Sequence, residues 1–246
     1  MNKDLGNPCL TAEWRHLAML NYEVDPVILS SLVPRGTELD RWDGKVFVSI
    51  VGFLFLNTRV LGIPIPFHRN FEEVNLRFYV RRKADGGWRR GVVFIKEIVP
   101  LLAIALTARY AYNENYVALP MDHEITKSKR NPENIVSVRY SWRYRKRDHS
   151  MEFSTQGVAS PWIEGSEEEF ITQHYWGYSS QKDGATVEYR VEHPPWRIWR
   201  TAGCRLDCDV ENLYGSQFAN FLRGEPSSAF LAEGSDVIVY KGERVV

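Results

Sequence analysis

Residues 136–144 alternate without a break: Val136, Val138, Tyr140, Trp142 and Tyr144 take one parity, and Ser137, Arg139, Ser141 and Arg143 the other. Successive side chains of a strand point to opposite faces. The stretch therefore makes a strand with one apolar and one wet face, whereas a 3.6-residue helical period would scatter both sets. Strand readings also fit 14–24, 45–55, 72–82, 92–99, 151–157, 185–192, 198–207 and 237–240. Asp85-Gly86-Gly87 and Lys182-Asp183-Gly184 supply the turn chemistry of hairpins. Short helices are predicted between the strands. Asp25-Pro26 opens one that Pro34 ends, and Pro100 opens another through about Tyr112. Ser166 and Glu169 form a capping box ahead of Phe170, and 209–222 forms a helix stopped near Gly224. Long strands with a few short helices predict an α+β, predominantly β fold, a large twisted sheet or barrel.

No repeat, low-complexity tract or linker divides the 246 residues, so one domain over 1–246 is expected. Hydrophobic residues are 44% of the chain, enough to bury a sizeable core. Lys plus Arg equal Asp plus Glu at 31 each, so the overall positive field of a nucleic-acid binder is missing. The most apolar run, 98–108, is short and interrupted by Pro100 and Thr107, which argues against a membrane span. Residues 1–8 carry Asp4 and no apolar signal region; with three cysteines that cannot all pair, reduced thiols in a cytoplasm are expected. Six scattered histidines without HxH or HExxH spacing predict no metal site, and no phosphate loop, dinucleotide fingerprint or G-x-S-x-G elbow calls for a cofactor or a serine nucleophile.

The strand at 72–82 holds the most chemistry. Val74, Leu76, Phe78 and Val80 form one row; Glu73, Asn75, Arg77, Tyr79 and Arg81 form the other. A solvated face and a polar lumen that orients a small anionic or carbonyl ligand demand the same alternation, so both readings stay open. On the neighbouring strand Lys96 shares parity with Val92, Phe94 and Ile98, where burial would lower its pKa and make it a candidate Schiff-base amine. A bulge would exchange Lys96 for Glu97 as the neighbour of Glu73. His174 and His193 are each open to a base or metal-ligand role or to a structural one.

Several stretches together carry a resemblance: Trp14-Arg15 with Tyr22-Glu23-Val24-Asp25-Pro26; Glu38-Leu39-Asp40 with Asp43-Gly44; and Phe71-Glu72-Glu73-Val74-Asn75 leading to Arg77-Phe78-Tyr79-Val80. Gly91-Val92-Val93-Phe94, Gly165-Ser166 through His174-Tyr175, and His193-Pro194-Pro195-Trp196 complete it. The set resembles the YqjF-like family of uncharacterised bacterial proteins, which is grouped with the acetoacetate decarboxylase-like fold. The resemblance implies a curved antiparallel β-barrel or cone around a small pocket. Decarboxylases of that fold use a lysine that condenses with the substrate ketone. On the family pattern Arg15, Glu73 and Arg109 match anion-binding and acid–base positions, while Tyr116 stands roughly where the nucleophilic lysine would be. Phenol forms no imine, so the ordinary decarboxylase mechanism is not expected here. The expected function is binding of a small carbonyl or carboxylate compound, with lyase-like chemistry left open. Glu73, Lys96 and Tyr116 are the catalytic candidates, and Arg15, Arg77, Glu97, Arg109 and His174 the ligand-binding ones. A non-catalytic small-molecule binder or sensor is the alternative, and homo-oligomerisation is left open.

Overall fold

A computed structural model describes residues 8–102 and 115–245. The strands are β1 (Pro8–Glu23), β2 (Glu38–Leu39), β3 (Phe47–Val60), β4 (Phe71–Ala84), β5 (Gly87–Val99), β6 (Tyr116–Ala118) and β7 (Met121–Lys127). They continue with β8 (Ile135–Tyr144), β9 (Arg147–Ser160), β10 (Trp176–Ser180), β11 (Thr186–Glu192), β12 (Ile198–Asp207), β13 (Ser228–Tyr240) and β14 (Glu243–Arg244). The helices are a 3-10 turn at Pro26–Leu29, α1 (Glu167–Thr172), α2 (Val210–Tyr214) and α3 (Ser216–Leu222).

All strands join one 14-stranded sheet. Part of it closes on itself: β11, β10, β5, β4, β3, β1 and β13 follow in order, and β13 pairs back onto β11 through Val191–Val239 and Glu192–Ile238. Most pairings are antiparallel, but β10 and β6 both join β5 in parallel, so the sheet is mixed rather than purely antiparallel. The other half of β13 pairs with β12, and the sheet continues through β9 and β8 to β7 as an outer layer. That layer lies against the outside of the ring. The Tyr140 hydroxyl donates to the His16 carbonyl at 2.8 Å, and His123 Nδ1 meets Glu72 Oε1 at 2.6 Å.

Cover on both sides explains why 45–55 reads as a nearly continuous apolar run: Val46, Val48 and Ile50 enter the core between ring and outer layer, while Phe47, Val51 and Phe53 enter the ring. Gly52 has the same cause, because a Cβ there would stand 2.7 Å from Met151 Sδ and Tyr140 Cδ2. α1 plugs one end of the ring with Phe170 and Ile171. The predicted capping box is present in altered form: the Glu169 amide donates to Ser166 Oγ at 3.2 Å, but Glu169 Oε2 accepts from the Gly165 amide rather than that of Ser166. The predicted helix at 209–222 is split into α2 and α3 at Gly215, whose φ of 112° ends one helix and restarts another. The helix predicted after Pro100 falls mainly outside the described residues.

Candidate functional site

The row Glu73, Asn75, Arg77 and Tyr79 faces into the ring. Register places Glu73, Asn75 and Arg77 opposite Phe53, Val51 and Ser49 of β3, and the four residues of the row are 3%, 2%, 9% and 0% exposed. Of the two readings the alternation allowed, the interior one is what the structure shows. The row runs ~13 Å from Glu73 to Arg77 at the usual strand rise. Phe71 continues it into an aromatic end, where Phe55 stacks on Phe71 at 4.7 Å and Trp14 meets Phe53 and Phe55 edge-on. Tyr79 continues it toward α1, with its ring edge-on to Phe170.

A bulge decides what β5 contributes. Leu76 pairs with Lys96 but Arg77 pairs with Phe94, so Ile95 is the extra residue. Phe94 and Glu97 therefore face inward, and Glu97 pairs with Asn75 and is 1% exposed. Lys96 is on the opposite face. Its ammonium donates to the Leu213 carbonyl of α2, and burial there lowers its pKa. The bulge thus corrects the expectation of Lys96 as the interior amine, and none of the buried charged residues among those described is a lysine.

β6 lies parallel to β5 with Tyr116 beside Glu97, and the Tyr116 hydroxyl donates to Glu73 Oε2 at 3.4 Å. Asn75 Nδ2 donates to Glu73 Oε1 at 2.9 Å. The interior thus gathers Glu73, Asn75, Glu97 and Tyr116, with Arg77 next along β4. Arg77 forms no ion pair among the described residues, and its Nε is buried without a hydrogen-bond partner. Such a group costs stability unless something else completes it.

Arg15 is elsewhere. It follows Trp14 on β1, so it points outward, where it bonds Glu13 Oε2 through Nε and Nη2 at 3.0 and 2.8 Å and approaches exposed Asp236 at 3.6 Å. The structure does not bring it together with Glu73, which corrects its expected place. Arg109 lies outside the described residues. His174 is under α1, packed on Tyr79 at 4.6 Å between ring centroids, with Nε2 3.4 Å from Asp40 Oδ2. Burial, opposed by Asp40 and reinforced by Arg90 and Arg77, takes its pKa down to about 4. Burial pushes the Asp40 carboxyl up, but contacts from His174 and Arg90 outweigh it and hold the group at about 2. His193 stacks on Trp196 at 4.1 Å and is likewise lowered to about 4 by burial.

Asp40 and Asn75 are parts of the site that residue chemistry alone did not single out. Asn75 was visible only as a member of the polar row, and Asp40 only within the Glu38-Leu39-Asp40 stretch of the family resemblance. Glu72, Asp122 and His123 bring ligand atoms within 4.8 Å of one another where β7 meets β4, outside the ring. A groove of about 580 Å³ lies on the outer surface between Tyr175, Glu192, His193 and Asp236.

The sequence profile of DUF2071, described as an uncharacterised conserved protein, matches residues 11–236. The chain belongs to this family. It is 27% identical over 188 residues to the uncharacterised protein YqjF of Bacillus subtilis (strain 168), covering 75% of this chain and 73% of YqjF. Among solved structures, the acetoacetate decarboxylase of Legionella pneumophila superposes with a TM-score of 0.65 at 13% identity, covering 100% of this chain and 92% of that one. The enduracididine biosynthesis enzyme MppR, complexed with pyruvate, superposes at 0.67 with 11% identity, covering 98% and 91%. An acetoacetate decarboxylase-like enzyme from Sphingomonas wittichii RW1 gives 0.64 at 13% identity, covering 97% and 93%. At these identities the likeness establishes the acetoacetate decarboxylase-like fold and nothing finer. No helix among the described residues is long and apolar enough to cross a membrane.

Proposed function

We propose that this DUF2071 protein binds a small compound carrying a carboxylate and a carbonyl group inside the ring of strands, and that it handles protons there without an imine. The observation that carries the reading is the buried row Glu73–Asn75–Arg77, with Tyr116 on Glu73. Arg77 anchors the carboxylate through a charge-assisted pair, which also completes its unpartnered Nε. On binding, the Tyr116 hydroxyl turns its one hydrogen from Glu73 to the carbonyl oxygen, where negative charge develops when a neighbouring C–H proton leaves. Glu73 is the base that takes this proton, held in place by Asn75, and Glu97 shapes the polar wall beside it. Arg109 is carried as a second anion-binding candidate on the family pattern alone. The pyruvate bound by MppR is a ligand of the proposed class in a protein of the same fold.

Exchange of the pyruvate methyl protons in D2O, followed by proton NMR, tests the reading. Protein-catalysed exchange that disappears in Glu73→Gln is the expected result, with no lysine adduct after borohydride treatment. If the folded protein binds neither pyruvate nor other small keto acids by calorimetry, the reading is wrong. A second reading, a non-catalytic binder, is favoured by the aromatic end formed by Trp14, Phe53, Phe55, Phe71 and Trp196, which suits an apolar group. Saturable keto-acid binding without exchange would select it.

A further inference from the structure

His174 follows α1 and turns its imidazole into the plug beneath that helix, with 2% of the side chain exposed. Tyr79 lies beside it at 4.6 Å and Phe170 meets it edge-on at 5.2 Å. Asp40 Oδ2 faces Nε2 at 3.4 Å and is itself held by Arg90 Nε at 2.6 Å. At that separation the Asp40 contact is too long for a well-formed hydrogen bond, and Nδ1 has no partner at all among the described residues. An ionised carboxylate offers only acceptors, so the ring hydrogen belongs on the nitrogen that faces it, Nε2. Nδ1 is then a bare lone pair with neither solvent nor a donor, at a cost of about 1–3 kcal/mol. Buried polar atoms of this kind call for a partner such as a ligand group or an ordered water.

Arg77 has the matching deficit and shares the same platform. Its guanidinium carbon is 5.6 Å from the centroid of the Tyr79 ring on which His174 packs, and its Nε is buried and unpartnered. A carboxylate on the guanidinium, with a hydroxyl one carbon away donating to an imidazole, spans roughly 8–9 Å from guanidinium carbon to ring nitrogen at ordinary hydrogen-bond lengths. Both groups lie against the Tyr79 ring, Arg77 at 5.6 Å and His174 at 4.6 Å from its centroid.

We propose that His174 Nδ1 accepts a hydrogen bond from a hydroxyl group of the ligand whose carboxylate lies at Arg77, so that the site selects small hydroxy acids, or the enol forms of keto acids, over acids lacking that hydroxyl. This rests on the reading that the ring interior binds a small carboxylate. Asp40, Arg90 and Arg77 are the charged groups around the imidazole; burial, helped by Arg90 and Arg77, outweighs the opposing Asp40 and keeps it neutral at pH 7, so the lone pair is available to accept. His174 is a specificity-determining residue in this scheme. Asp40 is a positioning residue that fixes the tautomer.

Calorimetry at pH 7 with matched acids tests the assignment, using lactate against propionate and malate against succinate. The wild-type protein is expected to favour the hydroxy member of each pair by about 10-fold or more, one hydrogen bond to a buried acceptor. In His174→Phe the preference is expected to fall to near unity while both acids still bind. Equal affinities in the wild type, or an intact preference in the variant, would overturn the role of His174. Equal affinities that vanish in Arg77→Met would overturn that role alone. No binding of any acid would overturn the carboxylate reading and this inference with it. Should His174→Phe not fold, the ring nitrogen shifts of His174 in the free wild-type protein decide the matter: a neutral ring protonated at Nε2 supports the proposal, and one protonated at Nδ1 overturns it.

Discussion

Replacing Arg77 by Met should make the protein more stable while abolishing carboxylate binding. Arg77 is 9% exposed, has no carboxylate partner among the described residues, and leaves Nε without an acceptor. Methionine has a similar length, no charge and enough flexibility to fill the same space against Tyr79, Phe94 and Ser49. Relief of one buried, incompletely bonded polar group is worth about 1–3 kcal/mol. For a chain of this size that corresponds to a rise in Tm of about 2–12 °C. Calorimetric or urea unfolding without ligand measures it, and a keto-acid titration of the same variant checks the loss of binding. A fall in Tm of several degrees would refute the reasoning, because it would show that Arg77 is satisfied within the fold and is there for structure. The expected pattern, lower function with higher stability, is the one that marks a residue kept for its ligand.

Gly177→Ala should destabilise the ring by about 1–3 kcal/mol, since the new Cβ would run into the Tyr189 ring at Cζ; a Gly177→Ala/Tyr189→Ala double variant losing less than the sum, read from urea midpoints, would confirm the contact. Acid should weaken the protein through His174, whose folded pKa of about 4 lies below its unfolded value. The unfolded state alone binds this proton as pH falls from 6.5, so about 1–2 kcal/mol is lost by pH 5, and His174→Gln should flatten that slope in urea unfolding. Asp40 behaves oppositely in origin but in the same direction: its depressed pKa of about 2 stabilises the fold above pH 4, and that contribution goes as pH falls toward 2. Ser166→Ala should cost about 1 kcal/mol through the lost cap of α1, measurable as a shift in Tm, and an unchanged Tm would show that the Glu169–Gly165 bond suffices.

Much of this protein was legible locally. The parity of Glu73, Asn75, Arg77 and Tyr79 follows from the strand period, because which side chains share a face depends only on neighbouring backbone. The cap at Ser166, the turn at Asp85-Gly86 and the family resemblance were readable for the same reason: each depends on a few adjacent residues or on their order. The split at Gly215 was harder, since its glycine lies within an otherwise continuous apolar pattern.

Other facts belong to the closed sheet. Whether the polar row of β4 met water or protein depended on β13 pairing back onto β11, and the cover of its apolar row on the outer layer, both contacts between distant segments. The choice between Lys96 and Glu97 turned on one unpaired residue, Ile95, because a single bulge reverses parity for everything beyond it. Arg15 lost its expected place because it follows inward-facing Trp14, so the strand's alternation directs it to solvent beside Glu13. Sequence therefore determined which residues travel together on a face. Tertiary structure decided which faces are inside, since burial depends on the strands that close and cover the ring rather than on the strand that carries the side chain.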